Sequence, residues 1–186
     1  MKNIFRLSII CLLALATAGT MASCDKENTE TGKNGKTNEN VNSGENGEND
    51  SKLYVDLGLP SGTLWKIENE EGYYDNDSAR KKFGDRLPTQ PQISELLSNC
   101  TYTWDSIKKG GCFVSKINNK SIFMPALGCY EYGVADLETG GGFYWSSSSN
   151  FGYTAFFLLF FPNDAVLKNT DCRDRMSVRL VKAKQK

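Results

Sequence analysis

One stretch of this 186-residue chain is too polar to fold, and it decides where a globular domain can lie. Residues 25–52 contain a single apolar side chain, Val41, among Asn, Gly, Glu, Thr, Ser and Lys. Seven acidic and four basic residues give the stretch a net charge of −3. Such a segment buries too little apolar surface to offset the entropy lost on ordering, which predicts a disordered acidic linker. One domain of ordinary size is therefore expected in residues 53–186.

The first 23 residues have the pattern of an export signal. Lys2 and Arg6 form a positive start, and the apolar core at residues 9–18 is far shorter than the ~20 residues of a membrane-spanning helix. Small residues then lead into Ala22-Ser23-Cys24, which resembles a bacterial lipobox. This predicts a signal peptide at 1–23 and a lipid on Cys24 that attaches the chain to a membrane. The alternative is an ordinary cleaved signal followed by an incidental cysteine.

Charge and composition remove several classes of function. Residues 53–186 carry 16 basic and 15 acidic side chains with no basic stripe, so no nucleic-acid partner is expected. The whole chain lacks histidine, which excludes Ser-His-Asp and Cys-His catalytic sites and histidine-bound zinc. We find no sequence motif for a cofactor or a metal. The chain is therefore predicted not to be an enzyme, to need no cofactor and to hold no metal.

Four of the six cysteines fall in the expected domain. Their spacing suits no zinc site, and an exported domain can form disulfides. Cys100 and Cys112 flank an expected hairpin, which favours the pairs Cys100–Cys112 and Cys129–Cys172. Four buried free thiols are the alternative.

The domain alternates short apolar runs with turn residues. The runs at 53–57, 63–67, 101–104, 112–117, 121–124, 143–147, 153–161 and 176–182 predict strands, and the apolar run at 153–161 predicts a strand covered on both faces. Two helices are expected: one at 77–83, capped by Asn76 or Asp77 and ended by Gly84, and one capped by Thr89 with Gln92 in a capping box. Trp65, Trp104 and Trp145 are expected in the core. Helices packed on a twisted antiparallel sheet form an α+β fold.

Several blocks occur together in an order that resembles a known family. They are Val55-Asp-Leu-Gly-Leu-Pro-Ser-Gly-Thr-Leu-Trp65, Arg86-Leu-Pro-Thr89, Ile122-Phe-Met-Pro-Ala-Leu-Gly128, Gly142-Phe-Tyr-Trp-Ser-Ser147 and Arg175-Met-Ser-Val-Arg-Leu-Val181. This series is similar to the Fibrobacter succinogenes major paralogous domain, over residues 53–181. Residues 66–82 are shorter than the corresponding block of the family.

The resemblance implies a C-type-lectin-like fold, a small α+β domain with one or two short helices and long loops that can bind ligands. It also implies an exported or surface protein of Bacteroidota type. Calcium-binding lectins of this fold use Glu-Pro-Asn or Gln-Pro-Asp together with Trp-Asn-Asp. Here the corresponding positions hold Gln90-Pro91-Gln92 and Trp145-Ser146-Ser147, so no calcium site is expected.

A binding site is predicted in the polar and aromatic stretch between Gly128 and Gly142, together with residues 150–153. The candidate ligand-binding residues combine tyrosines with carboxylates and an amide: Tyr130, Glu131, Tyr132, Asp136, Glu138, Asn150 and Tyr153. Aromatic rings beside carboxylates suit stacking on sugars and also suit protein contacts. A loop that merely connects strands is the alternative.

Together these patterns predict a lipid-anchored outer-membrane protein, at the cell surface or else on the periplasmic face, with a non-enzymatic binding or adhesion module for a glycan or a protein. One alternative is a glycan-processing accessory enzyme that uses Glu131 and Asp136, which requires a carboxylate of raised pKa in a concave cleft. Another is a structural envelope subunit that contacts only proteins.

Overall fold

The computed structural model describes residues 53–185, and in this range the fold is mixed α+β. The predicted signal, the predicted lipidation site at Cys24 and the predicted linker lie outside the described residues. Thirteen strands, two short α-helices and one 3-10 turn at Gly84–Arg86 are present between residues 53 and 185. Most strand pairs are antiparallel; β9 and β12 form the one parallel strand pair among the described residues. No helix in this part of the chain is long and apolar enough to cross a membrane.

The elements follow the chain in a simple order. The strands are β1 (Tyr54–Asp56), β2 (Thr63–Lys66), β3 (Glu70–Tyr74), β4 (Cys100–Asp105), β5 (Gly110–Ser115), β6 (Ser121–Pro125), β7 (Cys129–Glu131), β8 (Val134–Asp136), β9 (Gly142–Asn150), β10 (Thr154–Phe161), β11 (Asp164–Asp171), β12 (Met176–Val178) and β13 (Val181–Ala183). The helices α1 (Asn76–Phe83) and α2 (Gln90–Asn99) both lie between β3 and β4.

The strands form four small sheets instead of the single sheet that the sequence predicted. Their orders are β1-β2-β13, β11-β10-β9-β12-β3, β4-β5-β6 and β7-β8. The predicted last strand, 176–182, is divided between two sheets, because β12 pairs with β3 and β9 whereas β13 pairs with β2. β11, which the sequence analysis missed, pairs with all eight residues of β10.

Local capping residues place both helices. Thr89 caps α2, and Gln92 donates its backbone N–H to the Thr89 side chain while its own side chain accepts from the Thr89 backbone, as the capping box predicted. The cap of α1 was placed wrongly: Asp75, not Asn76 or Asp77, accepts the Ser78 N–H at 2.8 Å. Asn76 is instead buried and donates to the Ser146 carbonyl at 2.8 Å. Gly84 ends α1 as expected.

The core consists of two apolar clusters on the two faces of β10. Leu158 and Phe160 belong to the cluster that contains Trp65 and α2, whereas Phe157 belongs to the cluster that contains Trp145 and α1. This confirms that β10 is covered on both faces. Trp65 and Trp145 are buried as predicted, and Trp104 packs against the first cluster while partly exposed.

The four domain cysteines are free thiols, so the expected disulfides are wrong in the structure and the alternative of free thiols is found. Cys100 lies opposite Ser115 and Cys112 opposite Thr103, three residues further along the β4–β5 ladder. Because side chains alternate between the faces of a strand, Cys100 points into the core and Cys112 to the other face. Cys129 and Cys172 are both buried in the second cluster without a bond between them.

Burial makes the thiols of Cys100 and Cys129 poor nucleophiles. It raises the pKa of Cys100 to about 11 and that of Cys129 to about 12, from an ordinary 9.0. Iodoacetamide at about pH 8 is expected to label Cys112 in the folded protein and to spare Cys100 and Cys129 until urea is added. Peptide mass mapping measures each site, and equal labelling of Cys129 and Cys112 would contradict the burial.

The raised pKa values of Cys100 and Cys129 also determine how the stability of the fold depends on pH. The folded state holds the two protons more tightly than the unfolded chain does, so both thiols stabilise the fold fully below pH 9.0. That contribution declines as the pH rises from 9.0 towards 12.

Candidate functional site

The predicted binding loop is a β-hairpin. β7 and β8 pair with Glu131 opposite Val134, which leaves Tyr132 and Gly133 as a two-residue turn. Both turn residues have positive φ, 48° and 82°, the pattern of a type I′ hairpin turn. Residues 129–136 therefore form a regular ladder and its turn, whereas the sequence led us to expect a loop between Gly128 and Gly142.

A second turn of similar design joins β9 to β10. Asn150 pairs with Thr154, so Phe151, Gly152 and Tyr153 form the turn. Phe151 and Gly152 have φ of 51° and 75°. In both turns an aromatic residue of left-handed conformation stands directly before a glycine. Asn, Asp and Gly are the residues that usually occupy such positions, because a bulky side chain costs free energy there.

Both turns are attached to the same segment, residues 171–175. The Cys172 N–H donates to the Tyr153 carbonyl at 3.0 Å, and the Tyr132 N–H donates to the Asp174 carboxylate at 3.2 Å. Asp174 is buried and also accepts the Thr170 hydroxyl at 2.8 Å. The structure thus ties the two predicted regions, 128–142 and 150–153, to one support.

Tyr130 provides the rigid base of the β7–β8 hairpin. Its backbone N–H donates to the Arg175 carbonyl at 2.8 Å and its carbonyl accepts the Arg175 N–H at 2.9 Å. The Arg175 guanidinium lies 4.6 Å from the Tyr130 ring centroid, and Tyr73 packs edge-on at 5.0 Å. Tyr130 is therefore half-buried between two partners and serves as a support for the turn.

The side chains of the turns are unusually exposed. Tyr132, Phe151 and Tyr153 expose 77%, 91% and 81% of their surface, and we call these three residues the aromatic turn surface. Phe151 was not among the predicted site residues. An aromatic residue followed by glycine between two strands is the sequence signal that both turns share, and it would have identified Phe151.

The remaining predicted site residues are spread around the hairpin. Glu131 is exposed at the end of β7, and Asp136 is half-buried at the end of β8. Asp136 and Glu138 line an open depression of about 320 Å³ with Ala135 and Leu137, away from the turn. Asn150 closes the β9–β10 turn, where its carbonyl accepts the Thr154 hydroxyl at 3.3 Å.

The charged residues Arg173, Asp174, Arg175 and Arg179 have separate partners and do not form one ion-pair network. Arg173 pairs with Asp171 at 2.7 Å, and this pair lowers the pKa of Asp171 to about 2. Arg175 stacks on Tyr130, and Arg179 is buried elsewhere, among backbone carbonyls. No group of three potential metal ligands occurs among residues 53–185.

Comparison with protein-family models, curated proteins and solved structures finds no match to this chain. The mixed α+β architecture is thus the part of the fold assignment that rests on the structure itself.

Proposed function

We propose that this chain is a lipid-anchored cell-envelope protein that presents a non-enzymatic binding or adhesion module for a glycan or a protein. In this proposal the domain is a C-type-lectin-like member of the Fibrobacter succinogenes major paralogous domain family. Cys24 carries the lipid, residues 25–52 give reach, and the domain faces outward from the outer membrane. The ordered sequence blocks support the family, and two short helices on antiparallel sheets are compatible with the fold.

One observation carries the binding role. Tyr132 and Phe151 occupy left-handed positions that disfavour large side chains, and neither side chain is buried in return. Stability alone would favour Asn or Gly at both positions. Exposed aromatic rings on two supported turns are suited to stacking on sugar faces and to anchoring a protein partner. Ligand binding therefore accounts for two exposed aromatic side chains that do not stabilise the fold.

The alternative of a glycan-processing enzyme receives no comparable support from the geometry. It requires a carboxylate in a concave, water-poor site. Glu131 instead lies exposed on the hairpin, and Asp136 faces an open depression.

The decisive prediction separates binding from stability. Tyr132→Asn and Phe151→Asn are each expected to raise the free energy of unfolding by about 0.5–1 kcal/mol, because Asn tolerates the left-handed conformation. Each is also expected to weaken ligand binding about tenfold or more, since buried aromatic anchors dominate interfaces. Urea unfolding measures the first effect.

Binding is measured with the full chain in detergent on a glycan array, with and without calcium, and by pull-down from envelope extracts. Ile107→Asn is the matched control, because Ile107 is 92% exposed on the β4–β5 turn, outside the aromatic turn surface. Selective glycan binding lost in the two variants supports a lectin-like role. A stable protein partner lost in the same variants supports adhesion to protein. Variants that lose stability and keep all binding would overturn the proposal.

A further inference from the structure

A second recess, separate from the aromatic turn surface, lies between the β2–β3 connection and the end of β6. This recess, which we call the glutamate cleft, has a volume of about 470 Å³. One wall is formed by residues 67–73 and the other by Phe123, Pro125 and Leu127, with Arg179 at the base. A recess of this size falls within the range of ligand sites in proteins.

Hydrogen bonds across the cleft hold its two walls at a fixed separation. Buried Arg179 donates to the carbonyls of Lys66 and Ile67 and to the Asn69 side chain on one wall, and to the Phe123 carbonyl at 3.0 Å on the other. Further along, the Tyr73 hydroxyl donates to the Leu127 carbonyl at 2.6 Å. The cleft is therefore preformed, and a ligand need not spend binding free energy on ordering it.

Polar groups at the base of the cleft and behind its lining are hydrogen-bonded to the protein's own atoms. The Tyr144 hydroxyl accepts from the Asn69 amide at 3.0 Å and donates to the Pro125 carbonyl at 2.6 Å, and burial raises the pKa of Tyr144 to about 12. The Arg179 guanidinium likewise donates its hydrogen bonds to protein oxygens. The features open to a ligand are thus the walls and the mouth.

The mouth is acidic and the walls are apolar. Glu68, Glu70 and Glu71 line one side; Glu70 forms an ion pair with Lys66 at 2.5 Å, and Glu68 interacts electrostatically with the Arg179 guanidinium at the base. Ile67 on one wall and Leu127 on the other remain 43% and 41% exposed. This combination complements a ligand that has both positive charge and apolar surface.

We propose that the glutamate cleft binds an extended segment of a protein partner in which Lys or Arg stands beside apolar residues. Phe123, Pro125 and Leu127 line one wall, and an extended peptide of about five residues, about 16 Å long, matches this stretch. The cleft is open along this length, so a small cation would remain largely hydrated, whereas a peptide crossing it can bury apolar side chains and place its cations on Glu68 and Glu71.

The proposal is tested with three fluorescein-labelled nonapeptides and the full chain in detergent, by fluorescence polarisation. The first peptide is Gly-Ser-Leu-Lys-Leu-Arg-Leu-Ser-Gly; the second has Glu for Lys and Arg, and the third has Ser for Leu. We expect saturable binding of the first only, weakening as salt rises from about 0.05 M to about 0.5 M. Glu68→Gln with Glu71→Gln should weaken binding about tenfold, since each exposed ion pair contributes modestly.

Asp85→Asn with Asp164→Asn is the matched control, because both aspartates are exposed outside the cleft. It should leave binding unchanged, as should Tyr132→Asn, so a failure of this proposal is distinct from a failure of the proposed function. Equal binding of the acidic peptide, or no effect of the glutamate double variant, would overturn the proposal. So would competition by hexylamine at the affinity of the peptide, which would assign the cleft to a small organic cation.

Discussion

Replacing Arg179 by alanine is expected to lower the free energy of unfolding by about 3–5 kcal/mol. Only 1% of this side chain is exposed, and it ties the carbonyls of Lys66, Ile67 and Phe123 together. Alanine leaves those oxygens without donors and opens a cavity at the base of the glutamate cleft. Urea unfolding followed by tryptophan fluorescence measures the loss, because Trp65 and Trp145 lie in the two core clusters.

Two further variants show which property of Arg179 matters. Arg179→Lys keeps the charge but cannot reach both walls from a single nitrogen, so it should still cost about 2 kcal/mol or more. Arg173→Ala removes an arginine that forms an ion pair while highly exposed, and its unfolding midpoint should stay near that of the wild type. A loss below about 1 kcal/mol for Arg179→Ala would mean that water replaces the guanidinium.

Gly128→Ala is the second change with a large expected effect, about 3 kcal/mol or more, together with loss of binding through the aromatic turn surface. Gly128 has φ of 70°, and a Cβ atom there would lie 2.2 Å from the Asp136 carbonyl oxygen. The positive φ and the close approach to Asp136 both involve backbone atoms, which cannot move aside as a flexible side chain does. We therefore expect the β7–β8 hairpin to lose its position against β9.

Gly133→Ala in the same hairpin is the matched control. Its φ is 82°, yet no atom lies within 4 Å of an added Cβ, so only the conformational cost of about 1 kcal/mol applies. The difference in the free energy of unfolding between the two alanine variants, measured with urea, is the cost of the close approach at Gly128. Equal losses would show that the hairpin shifts freely and that its position is not fixed at Gly128.

Local signals in the sequence predicted the elements that depend on neighbouring residues. The capping box of α2 lies within four residues of the sequence. The continuous apolar run of β10 predicts a strand that is buried on both faces, as the structure shows. β11 was missed because its side chains are mostly half-exposed and its pairing with β10 is a tertiary contact. The division between β12 and β13 was missed because only Arg179 and Leu180 separate the two strands and neither glycine nor proline marks a turn there.

The candidate site was predicted by residue type and corrected by geometry. Tyr132 and Tyr153 were identified from tyrosines near glycines and carboxylates, and the structure ties both to residues 171–175. Asp174 and Arg175 could not be assigned as supports from sequence, since their partners lie more than forty residues away along the chain. The burial of Arg179 was not predicted, because its partners on the β2–β3 connection and β6 are distant in sequence and became identifiable only in three dimensions.

The arrangement of strands in the β1-β2-β13 sheet determines how it would respond to a pulling force. β1 and β13 both pair antiparallel to β2, so they run parallel to each other on its two sides. Residue 53 lies beside Ile67, whereas Lys184 donates its N–H to Gly62 at the opposite end of β2. A pulling force between residues 53 and 184 would act along the strand axes, loading the hydrogen bonds on both sides of β2 in shear and all at once. Such loading resists rupture better than peeling, which breaks one bond at a time.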